Sequence, residues 1–299
     1  MRKTIVGWLI TVGMLLLGSG TAPAAPAPEP VIIGNARVTA LQDMPGEMPL
    51  TIFRGADLQA MQAMVPSGRA PAGVTVFLVQ LSGQNMLVDT GFGANEPERR
   101  SALPELLRRV GVGMGDIGTV LLTHMHGDHI GGLVKDGAAV FSKAVIMVSE
   151  KELAFWTDPK TVKENPGLDK NVQMVKDVQK AYGDRLKTFA FNDPVAFGLT
   201  AIAATGHTPG HTMFLLLSED SPLLFWGDLV HAAALQFANP DICATYDMNM
   251  PEAVATRRDV FAKAARERFP VAGAHLPFPA IGRVTKKDSG GEYEFTPGL

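Results

Sequence analysis

The chain has 299 residues, of which 46% are hydrophobic and 19% charged, a balance that rules out wholesale disorder and permits a sizeable core. Its 27 basic and 30 acidic side chains give a formal net charge of -3, which argues against a nucleic-acid partner held through phosphate contacts. The single cysteine, Cys243, excludes internal disulfides and any zinc site built on two or more thiolates.

Arg2 and Lys3 precede an apolar run, 5–17, broken only by Gly7, Thr11 and Gly13, and small residues ending in Ala22-Pro23-Ala24 follow. This is the pattern of a secretory signal peptide over 1–24, leaving a single catalytic domain over 25–299. The run is too short for a membrane span of about 20 residues, so no stable membrane anchor is expected after cleavage and the location is periplasmic or secreted, in a bacterium. Alternation predicts a strand over 31–41. Residues 45–73 are rich in Met, Pro and Gly and read as a long loop with a helical piece over 58–64, a candidate lid. A hairpin is expected over 74–79 and 85–89, turning at Ser82-Gly83. Leu103, Leu106, Leu107 and Val110 form a helical stripe, with Ser101 as N-cap and Gly111 at the C-terminal end. Short buried strands follow over 118–123 and 144–148, then a helix over 171–182 and strands over 199–204, 213–217 and 223–226. A helix over 251–269 has Pro251 in its first turn, and 293–295 closes a sheet. Interleaved strands and helices predict one α/β domain with mixed sheets. The basic residues Arg257, Arg258, Lys263, Arg266 and Arg268 read as a solvated helix face, and Cys243 as a small core residue.

Chemistry concentrates in the seven histidines: 124, 126, 129, 207, 211, 231 and 275. Three fall within Thr123-His124-Met125-His126-Gly127-Asp128-His129, too dense a cluster to be accidental. On an extended segment residues i and i+2 point to one side, so His124 and His126 can share one metal ion. Asp128 and His129 follow at a turn and can face a second ion, with Gly127, Gly131 and Gly132 permitting tight backbone. His207 lies in the turn 205–211, Asp228 just after the apolar strand 223–226, and His275 after another apolar stretch; strand ends are where open α/β folds build their sites. Imidazole and carboxylate donors without thiolate suit Zn2+, and also Mn, Fe, Co or Ni.

These motifs, THMHGDH at 123–129, GHTPGH at 206–211, GDLVH at 227–231 and GAHL at 273–276, with LVDTG at 87–91, resemble the metallo-β-lactamase superfamily in kind and order. The resemblance implies a four-layered αββα sandwich holding two divalent metal ions. It implies His124, His126 and His207 as ligands of the first ion and Asp128, His129 and His275 as ligands of the second. Asp228 becomes the bridging carboxylate, and Asp89 the acid that orients a ligand histidine. Residues 227–237 and 273–282 look most like methyl parathion hydrolase and its secreted relatives. Lactonases of the superfamily share GHTPGH and the bridging Asp but usually carry a tyrosine three residues later, where this chain has His231. The chemistry implied is hydrolysis of a lactone, aryl ester or phosphotriester by a metal-bridging hydroxide, with Asp128 handling a proton and His231 acting as donor or shuttle. The expected partner is a small apolar or aromatic molecule, met by a wall of Met61, Met64, Phe155, Trp156, Leu235 and Phe237; a homodimer is compatible with the family. Three other readings stand beside it: a β-lactam hydrolase, against which Asp228 argues because resistance-type relatives have Cys or Ser there; an iron-dependent redox enzyme of sulfur dioxygenase type; and a non-catalytic metal-binding protein.

Overall fold

In the computed structural model, which describes residues 27–93, 101–165, 167–288 and 292–299, the apolar segments assemble two seven-stranded sheets. The first runs Val31–Ile33, Ala36–Met44, Val74–Leu81, Gln84–Val88, Thr119–Leu121, Val145–Ser149, Leu186–Phe189. Its first four strands pair antiparallel and its last four parallel. The second runs Pro194–Ala196, Leu199–Ala203, Thr212–Ser218, Ser221–Phe225, Val271–Ala272, Ile281–Lys286, Tyr293–Pro297, antiparallel except where Ser221–Phe225 meets Val271–Ala272.

The sequence VTVFLVQL of the strand Val74–Leu81 has few polar positions because it is covered on both sides. Phe77 and Val79 join Phe214, Leu216 and Phe225 between the sheets. Val76 and Leu78 join Leu103, Leu107, Val172, Val175 and Val178 on the outer face, under the helices Leu103–Arg109 and Asp169–Tyr182. The helix Met250–Glu267 covers the second sheet, its Phe261 ring 5.3 Å from that of Tyr293. The result is a four-layered αββα sandwich, the architecture the motifs' resemblance implies.

The segment 45–73 is more ordered than its composition suggests. Glu47–Pro49 and Arg69–Pro71 form an antiparallel ribbon, and Phe53–Arg54 pairs with Cys243–Ala244. The helix Leu58–Met64 starts where Asp57 accepts a hydrogen bond from the Ala60 N–H at 2.7 Å. Leu50, Phe53, Met61 and Val65 pack on Ala232, Leu235, Ile242 and Ala244, which fastens the segment over the second half of the chain. Elements of two or three residues leave no readable period.

Other expectations need correction. The strand expected over 31–41 is a hairpin turning at Gly34-Asn35; Gly34 has φ +54, and a Cβ there would lie 2.1 Å from the Ser218 carbonyl oxygen. Ser101 is not the N-cap of Leu103–Arg109, whose cap residue is Ala102. The Leu103 N–H donates instead to the buried Asp43 carboxylate at 2.9 Å, and the Ser101 hydroxyl donates to the same oxygen at 2.5 Å. The strands Leu186–Phe189 and Ile281–Lys286 and the helix Glu150–Thr157 were not evident from pattern. The segment 1–24 lies outside the described residues. Among those described, no helix is long and apolar enough to cross a membrane.

Candidate metal centre

The parallel strands Gln84–Val88 and Thr119–Leu121 of the first sheet lead into the site, as do the loops after Leu199–Ala203, Ser221–Phe225 and Val271–Ala272. The chain leaves Thr119–Leu121 extended, His126 retaining φ -70 and ψ 159, and then makes one helical turn, Gly127–Ile130. That change of direction aims His124 and His126 at one point and swings Asp128 and His129 toward another.

Three ring nitrogens converge at the first point. His124 Nε2 lies 3.0 Å from His126 Nδ1, which lies 2.9 Å from His207 Nε2, and the triangle closes at 3.1 Å. The tautomers follow from the far sides of the rings. Thr123 Oγ1 donates to Asp89 Oδ2 at 2.8 Å, so at 3.0 Å it accepts from His124 Nδ1. His207 Nδ1 donates to Asp247 Oδ1 at 2.8 Å. Both Nε2 atoms therefore present bare lone pairs. Burial holds His124 and His207 well below the usual histidine range and His126 at about 4, so protons do not fill the gap at neutral pH. Zn–N bonds of about 2.0–2.1 Å put tetrahedral donors roughly 3.3–3.4 Å apart, close to this spacing.

The second point is defined by Asp128, His129, Asp228 and His275. His129 Nδ1 donates to Asp89 Oδ2 at 2.8 Å and His275 Nδ1 to the Gly73 carbonyl at 2.7 Å, so again the Nε2 atoms face inward. His129 Nε2 is 3.1 Å from Asp228 Oδ1, and His275 Nε2 is 3.2 Å from Asp228 Oδ2 and 3.5 Å from Asp128 Oδ2. His129 Nε2 and Asp228 Oδ1 are buried without a hydrogen bond, although an acceptor and a nitrogen face each other. Burial opposes charge on His129 and His275, but Asp228 and its neighbouring carboxylates outweigh it, lifting His129 well above its ordinary value and His275 to about 9. The cluster demands positive charge, which protons or divalent ions can provide. Asp228 belongs to both groups: Oδ2 is 3.4 Å from His207 Nε2 and 3.7 Å from His124 Nε2. The ligand atoms within each group of four lie within 4.8 Å of one another, so the donor sets fit two divalent ions.

His211 serves the backbone: Nδ1 donates to the Ala204 carbonyl at 2.9 Å, and Nε2 accepts from the Asp228 N–H at 3.1 Å. His231 is buried with both ring nitrogens unpartnered, Nε2 3.3 Å from Asp228 Oδ2, and its ring stacks on His275. Its backbone is pinned by its own N–H donating to Gln236 Oε1 at 2.7 Å.

A cavity of about 800 Å³ opens over these groups, with His126, Asp128, His207, Asp228, His231 and His275 at its base. Met44, Met48, Phe92, Leu168, Met174 and Tyr246 supply apolar lining, with Arg69 and Lys170 among the polar residues. None of Met61, Met64, Phe155, Trp156, Leu235 and Phe237 lines it. Met61 and Leu235 fill the small cluster under the 45–73 segment, Phe237 lies in the inter-sheet core, Phe155 packs on the outer core, and Met64 is partly exposed. Trp156 sits behind His126, ring centroids 5.6 Å apart.

Two further groups escape a reading by motif. Asp247 accepts from His207 Nδ1 and from the Ala244 N–H at 3.1 Å, and its other partner is Arg257 at 3.4 Å. Arg257 is not on a solvated face; it is 1% exposed and also donates to the carbonyls of Leu229, Pro240 and Ile242. Burial works against charge on Asp247, but the His207 hydrogen bond, with the Arg257 guanidinium nearby, holds its carboxyl well below the usual range. The other group is Glu152, fully buried beside both histidine loops.

Known proteins match this architecture. The family model described as Metallo-beta-lactamase superfamily matches residues 69–280. Ribonuclease TTHA0252 of Thermus thermophilus is 25% identical over 183 residues, 58% of this chain and 39% of the ribonuclease. Metallo-beta-lactamase domain-containing protein 1 of Rattus norvegicus is 36% identical over 104 residues, 35% of this chain and 37% of the rat protein. The chain thus spans well under half the length of these curated relatives. Among solved structures, hydrolase AbOPH superposes with TM-score 0.85 at 29% identity, covering 92% of this chain and 98% of AbOPH. AidC, a dizinc quorum-quenching lactonase, superposes with TM-score 0.83 at 24% identity, covering 91% and 98%. By motif order, sheet topology and the family match, the chain belongs to the metallo-beta-lactamase superfamily.

Proposed function

We propose that the protein is a secreted, dinuclear metal-dependent hydrolase that cleaves a lactone, aryl ester or phosphotriester in a small apolar or aromatic molecule. His124, His126 and His207 hold one ion, Asp128, His129 and His275 the other, and Asp228 is shared. Zinc suits these donors, as do Mn, Fe, Co or Ni. The observation that carries the reading is the convergence of five imidazoles and two carboxylates on two points beneath an open cavity, with the far nitrogens of His124, His207, His129 and His275 each tied to a protein acceptor. That the neighbours AbOPH and AidC are a hydrolase and a dizinc lactonase supports it.

Two bound ions supply Lewis acidity and lower the pKa of water from 15.7 toward about 7. The chain's own residues then have defined tasks. The Asp128 carboxylate, 20% exposed on the cavity side, takes and holds a proton from the attacking water. His231, with two free ring nitrogens, donates to the leaving oxygen, which matters more for an alkoxide than for a phenolate. The Met- and Phe-lined wall accepts the apolar arm of the substrate while excluding water from it. The segment 1–24 exports the remainder, 25–299, as one catalytic domain.

The test is turnover of a panel holding a lactone, an aryl ester, a phosphotriester and a β-lactam, each repeated after chelation and with Asp128→Ala. Chelator-sensitive, Asp128-dependent turnover is expected for at least one of the first three. Turnover of the β-lactam alone would overturn the substrate assignment. No turnover of any member with two ions bound would overturn the hydrolase reading. N-terminal sequencing of the exported protein checks cleavage after Ala24.

A further inference from the structure

We infer that Glu152 is the positioning residue for the first ion's three histidines, a single buried carboxylate that clamps the loops carrying them. The inference rests on the metal reading above.

Glu152 lies in the helix Glu150–Thr157, outside every histidine motif, and its side chain is wholly buried. Among the described residues it has no cationic partner in an ion pair. Four donors from three segments hold it instead. Oε1 accepts from the Met125 N–H at 2.9 Å and from the Trp156 indole at 2.7 Å. Oε2 accepts from the Thr208 hydroxyl at 2.6 Å and from the Gly210 N–H at 3.0 Å.

Each donor stands next to a ligand candidate. Met125 lies between His124 and His126, so its peptide fixes how the two rings converge. Thr208 and Gly210 follow His207 and fix the turn that presents it. Trp156 meets the His126 ring edge-on, at 5.6 Å and 74°. One carboxylate therefore sets all three histidines relative to each other, across a join between the two sheets. The geometry also accounts for two residues of the 206–211 motif that ligation leaves unexplained. Thr208 supplies a hydroxyl to Glu152. Gly210 has no room for a side chain, because a Cβ would lie 2.1 Å from the Glu152 nitrogen.

A carboxylate can accept all four bonds; an amide of the same shape cannot, since its NH2 group faces the Gly210 N–H or the Met125 N–H with a donor against a donor. Glu152→Gln is therefore expected to keep the fold while relaxing one ligand set. Competition with a chromophoric chelator on the purified protein, with zinc and then cobalt, reads the two affinities separately. The expected result is a loss of about 10–100-fold at one site, the other changing by less than about threefold, with an altered cobalt visible spectrum for the weakened site. Thr208→Val and Trp156→Phe each remove one donor and keep the carboxylate; each should weaken the same site by about fivefold, and they decide the matter if the glutamine variant does not fold. Two ions bound by Glu152→Gln at unchanged affinity, or both weakened equally, would overturn the clamp while leaving the metal reading intact. A wild-type protein that binds neither ion would overturn the metal reading and the clamp with it.

Discussion

Asp247→Asn tests whether the chain His207, Asp247, Arg257 works as a unit. In the native protein the Asp247 carboxylate accepts from His207 at 2.8 Å, from the Ala244 N–H at 3.1 Å and from Arg257 at 3.4 Å, and both ends of the ion pair are essentially unexposed. Asparagine can still accept from His207, but its NH2 then faces the Ala244 N–H and the guanidinium, and Arg257 keeps its charge with carbonyl partners only. Breaking a buried pair on one side costs about 3–5 kcal/mol; the three carbonyls retained by Arg257 place this case at the lower end, about 3 kcal/mol. For a domain of this size that is roughly 6–12 °C in Tm, read by calorimetry on metal-free protein. Loss of the carboxylate behind His207 should also weaken one ion by about 10–100-fold in a chelator competition. The pH dependence has a definite sign. Because folding holds the Asp247 pKa below its unfolded value of about 3.9, its contribution is complete above that value and fades as pH falls toward the folded one. The Tm gap between wild type and variant should be flat from about pH 6 to 8 and close below about pH 4. A variant within about 1 °C of wild type that binds both ions normally would refute the reasoning.

Three other outcomes follow from the same geometry. Chelation should lower Tm, since each ion at 1,000 times its Kd contributes about 4.1 kcal/mol, and re-addition of zinc should restore it; a Tm unmoved by chelator that demonstrably strips both ions would count against the charge argument at Asp228. His231→Phe should retain both ions and lose less than about 1 kcal/mol of stability, because its ring nitrogens make no hydrogen bond and only the 3.3 Å approach to Asp228 is lost, while kcat falls about 100-fold with KM little changed, most for substrates with poor leaving groups. Gly210→Ala should cost about 3 kcal/mol by urea titration, whereas Gly68→Ala, where nothing lies within 4 Å but φ is +73, should cost about 1–2 kcal/mol.

The parts of the site legible in the sequence are those whose chemistry is rare in composition. Seven histidines in a chain of 299 residues, gathered near strand ends, announce themselves, and Asp89 is readable because it directly follows a strand, two residues before the turn at Gly91. The sandwich was legible through the same motifs more than through periodicity, since strands covered on both faces, such as Val74–Leu81, carry no alternation. The cavity wall was not legible. Met44 ends the strand Ala36–Met44 and Met48 lies in the three-residue strand Glu47–Pro49, whose place depends on pairing with Arg69–Pro71, and no local pattern encodes that pairing.

Glu152, Asp247 and Arg257 escaped for a different reason: charged residues are common, and their ordinary place is a solvated surface. Yet the helix Met250–Glu267 did carry a signal. Its buried positions are Ala253, Arg257, Val260, Phe261 and Ala264, spaced by four, three, one and three, so Arg257 stands in phase with the apolar stripe and out of phase with Arg258 and Arg266. In Glu150–Thr157 the buried pair is Glu152 and Trp156, four apart, so Glu152 shares the face of the bulkiest apolar residue in the helix. A charge on the wet face needs no partner, whereas one in phase with the core must find several, because burying it alone costs far more than the fold can spare. Arg257 finds three carbonyls and a carboxylate, and Glu152 finds four donors. Backbone groups left over for such partners come from irregular turns: Met125 and Gly210 for Glu152 and Leu229 for Arg257 lie in histidine loops, while Pro240 and Ile242 lie in the loop that follows. Both in-phase charges lead to the metal centre from outside every motif, Glu152 through the loops of His124, His126 and His207 and Arg257 through Asp247 to His207.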